Sequence, residues 1–340
     1  MRKLASVQRV VEINEIPGAD RIVCIQVLGW WCVTQKSNNF KVNDLVVYLE
    51  IDSMVPYADW SSFLFETPSG RQKIRTRKFK GQVSQGLILP IDILKDEIDP
   101  EAIVEGLDVT ELLEIEKYEP NIPANLQGVI KSTFPSWIPK TDEERIQSWP
   151  WILNELKGRV LVGTEKLDGS SMTTYIKDGE FGVCSRNLDL KESEGNSFWK
   201  MARELDLENK LKSVGQNIAI QGELVGPGVQ GNKYHLETLT FRAFNAFDID
   251  LHQHLGHKEL EDLCVKLDIP LAPMLALIEV DDIVTVDYLV KLVSQCTSAL
   301  NTKTPIEGMV FRPLTPMIHP KYGRVSFKVI NPEFLLKYGE

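Results

Sequence analysis

The chain has 340 residues, 43% of them hydrophobic and 25% charged, which is the composition of an ordinary globular protein with room for two domains. Its net charge of −10 excludes a uniformly basic surface, so any site for a polyanion must be a local basic patch. No apolar run reaches the roughly 18 residues of a membrane span, and the N-terminal stretch lacks the apolar core of a signal peptide.

The first 115 residues alternate short β-like runs with turns. The runs are rich in Val, Ile and Leu and lie at 4–13, 22–33, 45–51 and 86–90. Segments such as Pro17-Gly18 and Ser37-Asn38 separate them. Several short strands in so short a stretch predict a small barrel.

A basic segment lies inside this region. It contains six cations in ten residues: Arg71, Lys73, Arg75, Arg77, Lys78 and Lys80. Alternating charge along a strand would present a basic face to phosphates, so we predict nucleic-acid contacts here. The alternative is a solvated edge strand whose charges block aggregation.

Prolines at positions 120 and 123 predict a linker over residues 116–134, followed by a second domain over 135–340. In that domain, helical patterns near 142–156, 197–214, 258–267 and 286–300 alternate with strand-like runs. The sequence therefore predicts an α+β fold.

Five cysteines lie far apart and form no C-x-x-C pair. This pattern predicts reduced thiols rather than a disulfide framework or a structural zinc site. We therefore expect a cytoplasmic protein, or a nuclear one if the source is eukaryotic.

Lys166 occupies an unusual place for a lysine. It follows the apolar, β-branched run 159–164 and precedes Leu167-Asp168-Gly169, which indicates a turn. At the end of a buried strand a lysine is desolvated, which lowers its pKa and frees its amine for nucleophilic attack. The alternative is a surface turn that carries the four residues by chance.

Nucleotidyl transfer through a lysine also needs carboxylates, phosphate-binding cations and an aromatic face for the base. Such residues follow Lys166 in order, and they are Arg186 in Ser185-Arg186-Asn187, Glu223 in Gly222-Glu223-Leu224, Phe247 in Phe244-Asn245-Ala246-Phe247-Asp248, Glu307 in Glu307-Gly308 and Lys328 in Phe327-Lys328-Val329. A glutamate entering an apolar strand, as at position 307, is costly unless it binds a cation or a donor. A Mg²⁺ ligand role would meet that cost.

The K-L-D-G motif at 166–169, together with these ordered motifs, resembles the covalent nucleotidyltransferases, which include nucleic acid ligases and mRNA capping enzymes. The G-P-G-V-Q run at 226–230 is similar to that of RNA end-joining ligases. The chain ends at Glu340, soon after Lys328, so we expect its barrel at the N-terminus rather than after the last motif. Nearly the whole chain resembles the Deinococcus-type nick-sealing RNA ligases, including the segments at 29–30, 46–53, 80–87 and 139–145.

The resemblance implies an OB-fold module over 1–115 and a mixed antiparallel-sheet nucleotidyltransferase domain, ATP-grasp-like, over 135–340. It implies an ATP-dependent RNA ligase that uses Mg²⁺ or Mn²⁺ and seals 3′-OH/5′-phosphate nicks in duplex RNA or RNA/DNA hybrids during RNA repair. No membrane and no obligate protein partner is expected.

The resemblance also implies roles for individual residues. Lys166 is the nucleophile that becomes lysyl-AMP, with Asp168 and Lys328 as further catalytic residues. The residues implied to bind the nucleotide are Glu165, Lys166, Arg186, Glu223, Phe247, Glu307 and Lys328, and those implied to bind metal are Glu307, Glu223 and Asp168.

The last motif departs from the family pattern. The family often has K-x-K there, and this chain has Lys328 with Ile330 in place of the second lysine, unless Ser326 is the replaced position. The missing partner argues against a two-lysine clamp, and we expect another cation to substitute for the absent lysine. A capping-type guanylyltransferase and a non-catalytic RNA-binding protein are the alternative functions.

Overall fold

The computed structural model describes residues 3–118 and 130–339. Contacts divide the chain into two compact units. Unit 1 consists of Met1–Pro120, Ile146–Pro150 and Pro332–Glu340, and unit 2 consists of Asn121–Arg145 and Trp151–Asn331. The central part of the predicted linker, at 119–129, lies outside the described residues.

Unit 1 is built mainly of short antiparallel strands. They are β1 (Ala5–Glu15), β2 (Ile22–Val27), β3 (Trp30–Gln35), β4 (Leu45–Leu49), β5 (Ser53–Pro56), β6 (Arg71–Lys73), β7 (Arg77–Phe79), β8 (Gln82–Ser84), β9 (Leu87–Pro90) and β10 (Glu116–Lys117). One sheet has the order β3-β2-β1-β4-β9 and a second the order β10-β5-β6, while β7 and β8 form a separate hairpin.

Strand β1 organises unit 1 because it pairs with two partners. Residues 5–9 pair with β4, and from Val10 onward the strand pairs with β2, with an irregularity between Val10 and Glu12. A bulge of this kind bends a strand and increases its twist, which curves the sheet into an OB-like half-barrel. The enclosed core includes the fully buried Trp30 and Tyr48, whose ring centroids are 6.3 Å apart. The small β-barrel predicted for this region is confirmed.

Unit 2 contains a seven-stranded and a five-stranded sheet, both mostly antiparallel. Its strands are β11 (Ile130–Thr133), β12 (Glu144–Arg145), β13 (Val160–Lys166), β14 (Ser170–Lys177), β15 (Glu180–Cys184), β16 (Leu188–Leu190), β17 (Ile218–Val225), β18 (Thr240–Asp248), β19 (Gln253–His254), β20 (Met274–Glu279), β21 (Gly308–Pro313), β22 (Ile318–His319), β23 (Gly323–Arg324) and β24 (Phe327–Ile330). The larger sheet has the order β11-β16-β15-β14-β17-β18-β19, and the other has the order β12-β24-β21-β13-β20. Strands β22 and β23 form a small hairpin.

The helices are few and short. They are α1 (Ile152–Glu155), α2 (Ser197–Glu204), α3 (Leu207–Lys212), α4 (His257–Leu267), α5 (Val286–Ser294) and α6 (Pro332–Tyr338). The helix predicted at 142–156 is wrong, because that segment holds only β12, a 3₁₀ turn and the four-residue α1. The helix predicted at 197–214 is divided at Asp206, whose φ of 52° cannot continue a right-handed helix. In the described parts of the chain, no helix combines the length and the apolar character that crossing a membrane requires.

Strand β17 has one apolar face, which packs into the core of unit 2, and one face that carries polar side chains. Ile218, Ile220 and Leu224 belong to a hydrophobic cluster that includes buried residues of α2, α3 and α4. Because side chains alternate along a strand, Gln221 and Glu223 lie on the opposite face. The helices thus cover one side of the large sheet and leave the Glu223 side for the candidate site.

Candidate active site

Lys166 is the last residue of β13, and its side chain is 29% exposed. Its Nζ lies 2.5 Å from Oε1 of Glu307. Antiparallel pairing brings the two together, since Lys166 pairs with Gly308, the residue after Glu307. The first and fifth of the predicted motifs therefore meet at one strand end.

Gly308 is required by this arrangement. A Cβ at this position would lie 2.4 Å from the carbonyl oxygen of Val329 and 3.1 Å from Cα of Ile330. Both neighbours are backbone atoms of β24, so they cannot yield without separating the strands. The glycine after Glu307 lets β24 approach β21 beside the lysine.

Glu223 lies on β17 opposite Ser171 of β14, next to the turn that follows Lys166. The turn is packed tightly, because a Cβ at Gly169 would lie 2.4 Å from the carbonyl oxygen of Leu224 and 2.8 Å from Cγ of Glu223. Burial is the main cause that raises the pKa of Glu223 to about 8; Lys166 opposes the shift, while Glu307 and Asp168 add to it. The ligand-free site therefore favours the protonated form of Glu223 more than water does.

The pKa of Lys166 is raised, the reverse of the expectation from sequence. Burial is the largest single influence and does lower it, as predicted. The fields of Glu307, Glu223 and Asp168, with the hydrogen bond to Glu307, together outweigh burial. The inference that burial alone frees the amine is wrong for the ligand-free protein, because nearby carboxylates stabilise the ammonium form.

The predicted metal ligands Glu307, Glu223 and Asp168 do not form a direct metal cage. In the described residues, no three Asp, Glu, His or Cys side chains converge closely enough to hold one ion. The Lys166 ammonium lies in their combined field instead.

The chemistry of these residues nevertheless fits a divalent cation that enters with a nucleotide. Glu307 Oε2 is buried and accepts no hydrogen bond from the described residues. Mg²⁺ keeps several waters and is commonly bound by one or two carboxylates together with substrate phosphates. Glu307, assisted by Glu223 and Asp168, would supply that carboxylate surface.

Asp168 is held by two residues that the sequence analysis did not identify. Its Oδ2 lies 2.8 Å from Nζ of Lys233, and both side chains are nearly buried. Its backbone N–H donates to the hydroxyl of Tyr234 at 2.6 Å. Lys233 and Tyr234 follow the G-P-G-V-Q run by only a few residues, and that proximity was the one available signal.

Lys328 lies on β24 and pairs with Val310, which in turn pairs with Thr164 of β13. Cross-strand partners form rows across the sheet, and side chains two positions apart on a strand share a face. The row of Lys328 is therefore next to the row of Lys166 on the same face of the sheet. Ile330, one of the two positions where the second lysine could be missing, pairs with Gly308 in the row of Lys166 and is 3% exposed. The other position, Ser326, is 5% exposed.

Arg145 is a further cation that the sequence analysis missed. Strand β12 pairs in parallel with β24, and Arg145 is the register partner of Lys328. Neighbouring strands lie about 4.8 Å apart, so the two cationic side chains leave adjacent backbone positions in one row. The signal in the sequence was weak, because Arg145 ends the charged segment Asp142-Glu143-Glu144-Arg145.

Arg186 lies in the turn after β15, and its guanidinium donates to Oδ1 of Asp142 at 2.5 Å. Both side chains are about half exposed. Its charge reaches Glu223, whose pKa it helps to lower against the larger effect of burial. Arg186 therefore lies at the edge of the site, within electrostatic range of the carboxylates.

Phe247 lies on the Glu223 face of the large sheet, because it pairs with Ala219 of β17. Its ring is only 2% exposed and packs against His252 and His254. The structure thus does not present this ring as an open stacking surface. Phe244, three residues earlier, is partly buried and packs with the cluster that contains Leu167.

Glu165 precedes Lys166 and points to the opposite side of β13. It is 3% exposed, and its Oε2 accepts a hydrogen bond from the backbone N–H of Ala299 at 3.0 Å. Burial raises its pKa, while Ser298, Ala299 and Arg242 act in the other direction. Its carboxylate thus holds the loop at 298–299.

The basic segment of unit 1 does not form one strand. Arg71 and Lys73 are in β6, whereas Arg77 and Lys78 are in β7, which belongs to a different sheet. The predicted continuous basic strand is therefore wrong, because a break at 74–76 redirects the chain.

Several cations of this segment are already paired within unit 1. Arg71 lies 2.9 Å from Glu116 and Lys73 lies 3.1 Å from Asp52. Lys78 pairs with Glu333 at 3.1 Å, and Arg75 donates to the carbonyl oxygen of Gly339 at 3.4 Å. Arg77 and Lys80 are exposed, as are Arg75 and Lys78.

Comparisons with known proteins agree with this arrangement. The model of the RNA ligase family matches residues 159–330, and a model of an OB-fold domain matches residues 4–91. Comparison with curated protein sequences gives no match.

Solved structures of Naegleria gruberi RNA ligase are similar over almost the full length of both chains. The structure with PPi is 36% identical, with a TM-score of 0.88, and the match covers 100% of this chain and 99% of that one. A lysine-to-alanine mutant with ATP and Mn is 37% identical, with a TM-score of 0.89 and coverage of 98% and 99%. A lysine-to-methionine mutant with AMP and Mn is 36% identical, with a TM-score of 0.89 and coverage of 99% of each chain.

Proposed function

The chain belongs to the RNA ligase family, and we propose that it is an ATP-dependent ligase that seals 3′-OH/5′-phosphate nicks through a covalent lysyl-AMP. The observation that carries the proposal is the position of the Lys166 amine, 2.5 Å from Glu307 and in the field of Glu223 and Asp168. Similarity to structures that hold ATP, AMP or PPi supports the adenylyl-transfer step.

In the first step, Lys166 Nζ attacks the α-phosphorus of ATP. An N–P bond forms, the bond from the α-phosphorus to the bridging oxygen breaks, and pyrophosphate leaves. Glu307 Oε1 is the hydrogen-bond acceptor placed to take the proton of the amine. A divalent cation bound with ATP would neutralise phosphate charge and weaken the hold of the carboxylates on the ammonium.

Lys328 and Arg145 would stabilise the charge that develops on the phosphates. Their register positions place two cations side by side on the face that carries Lys166. A fixed cation near a transferring phosphoryl group stabilises the transition state more than the ground state. We propose that Arg145 supplies the charge of the second lysine that the last motif lacks.

In the second step, AMP passes from Lys166 to the 5′-phosphate of the nick, which forms a phosphoanhydride and regenerates the amine. In the third, the 3′-OH attacks the activated phosphate, AMP leaves and a phosphodiester forms. The substrate we propose is a nicked duplex of RNA or of RNA and DNA. Sealing a panel of nicks with RNA or DNA in each strand would define the preference.

Incubation with α-labelled ATP and Mg²⁺, followed by denaturation, tests the first step. We expect wild-type protein to retain the label and Lys166→Met to retain none, because methionine has no amine to form the N–P bond. Lys157→Met is a matched control, because Lys157 is an exposed lysine paired with Asp282 in the same unit.

Equal labelling of wild type and Lys166→Met would refute the assignment of the nucleophile. Label taken from GTP instead of ATP would indicate a capping-type guanylyltransferase. Label taken from neither, with RNA still bound, would indicate a non-catalytic RNA-binding protein.

A further inference from the structure

We propose that Lys233 is a positioning residue of the adenylation site, which acts by fixing the orientation of the Asp168 carboxylate beside Lys166. The proposal rests on the proposed function and assigns a role to a residue outside the motifs that indicated it.

The ion pair between Lys233 and Asp168 is short and largely shielded from water. Nζ and Oδ2 are 2.8 Å apart, and the side chains are 13% and 11% exposed. Removing one partner of such a pair leaves a buried charge without compensation, which is far more costly than losing a surface pair. Lys233 is therefore placed to fix the orientation of the Asp168 carboxylate.

Lys233 is itself held from several sides. Its carbonyl oxygen accepts from the hydroxyl of Thr304 at 3.2 Å, and the carbonyl oxygen of Tyr234 accepts from Asn301 at 2.9 Å. The hydroxyl of Tyr234, which is 1% exposed, accepts the N–H of Asp168. The segment thus connects the turn after Lys166 to the chain that leads into Glu307.

The orientation of Asp168 affects the nucleophile directly. Asp168 is two residues from Lys166, and its charge is one of those that act on the amine. If Lys233 lost its charge, we expect the Asp168 carboxylate to turn toward the Lys166 ammonium, on which its charge already acts. The amine would then be held by a second carboxylate and would leave its attacking position.

Single-turnover labelling with α-labelled ATP tests the proposal. We expect Lys233→Met to slow lysyl-AMP formation by about 10- to 100-fold, a typical loss for residues that orient a reacting group. Lys233→Arg, which keeps the charge, should stay within about threefold of wild type. Lys210→Met is the matched control, since Lys210 is a partly buried lysine of unit 2 that donates to the carbonyl oxygen of Asp268.

A double-mutant cycle separates positioning from a general loss of stability. If Lys233 acts through Asp168, Lys233→Met should slow Asp168→Asn by less than about twofold, because the carboxylate it orients is absent. Thermal unfolding of each variant identifies one that does not fold, and Lys233→Gln then replaces Lys233→Met.

Full-rate labelling by Lys233→Met, or additive losses in the double variant, would overturn the positioning role while wild-type labelling still supported the proposed function. Failure of wild-type protein to label at all would instead refute the proposed function.

Discussion

At the scale of single residues, the charges around Lys166 determine the state of the candidate nucleophile. Burial and three carboxylates act on the same amine in opposite directions, and the carboxylates prevail. For Glu223 burial is again the largest influence, and here it outweighs the nearby ammonium, so the pKa of its carboxyl is raised. The ligand-free site therefore favours the ammonium form of Lys166, which must lose a proton before the amine attacks.

Glu223→Gln should make stability less dependent on pH. Because the pKa of Glu223 is raised from the usual 4.5 to about 8 on folding, the folded state binds the extra proton between these values. The wild type therefore loses stability as pH rises through that window, with a limiting slope of about 1.4 kcal/mol per pH unit. Glutamine has no proton to lose, so the free energy of unfolding of the variant should rise relative to that of the wild type from pH 5 to pH 8.

Denaturant unfolding at pH 5, 6, 7 and 8, without nucleotide or metal, measures this difference. Glu192→Gln is a suitable control, because the pKa of that exposed carboxyl is lowered by Arg203 rather than raised. A constant stability difference between Glu223→Gln and wild type across the range would contradict the expectation.

At the scale of elements, the registers of β13, β21 and β24 assemble the site. Each motif residue is near a strand end, and the antiparallel pairing of β13 with β21 joins residues that are more than a hundred positions apart in sequence. Two glycines, Gly169 and Gly308, allow the close approach of backbones that these registers require. The glycines of the K-L-D-G and E-G motifs are therefore required by backbone packing.

Gly169→Ala should destabilise the protein and impair labelling together. Its Cβ would collide with backbone of β17 and with the side chain of Glu223, and overpacking of this kind costs about 1–3 kcal/mol. Gly195→Ala is the control, because a Cβ there meets nothing within 4 Å. Denaturant unfolding and α-labelled ATP measure the two effects, and wild-type values for Gly169→Ala in both would refute the packing argument.

Lys328→Ala and Arg145→Met should each slow lysyl-AMP formation, Lys328→Ala by about 100-fold or more if it stabilises the transferring phosphate. The adjacent register positions of the two residues predict partly overlapping roles, so the double variant should lose less than the product of the single losses. Single-turnover labelling measures all three variants. Full activity of Arg145→Met would contradict the proposal that Arg145 compensates for the missing second lysine.

At the scale of the whole molecule, the chain is acidic, and its basic segment at 71–80 lies in unit 1. Arg77 and Lys80 are exposed, whereas Arg71 and Lys73 are paired with carboxylates of the same unit. A nucleic-acid interface on this unit would therefore use only some of the six cations that were predicted from the sequence to contact nucleic acid.

Arg77→Ala with Lys80→Ala should reduce nick sealing and leave ATP labelling near wild type. If each cation contacts one phosphate, the slope of log affinity for nicked duplex against log salt should fall by about one to two. Lys41→Ala with Lys95→Ala removes the same charge from exposed positions of the same unit. Equal loss in both pairs would indicate a net-charge effect rather than a local contact.

The sequence predicted the parts of the molecule that depend on local pattern. Short β-branched runs indicated the strands of unit 1, and the ordered motifs indicated Lys166, Glu223 and Glu307, which the structure brings together. The helix prediction at 142–156 failed because its periodic apolar residues serve β12, a 3₁₀ turn and the short α1 instead. Lys233 was missed because a lysine in a loop has no signature until its partner is known.

The sequence by itself determined the family, because the identity and order of the motif residues are properties of the chain alone. Only the tertiary structure decided the proton on Lys166, the burial of Phe247, the pairing of Lys233 with Asp168 and the division of the basic segment between two sheets. These features depend on desolvation and on charges contributed by residues distant in sequence. Desolvation and these distant charges are both set by which strands become neighbours, and no local sequence pattern specifies that pairing.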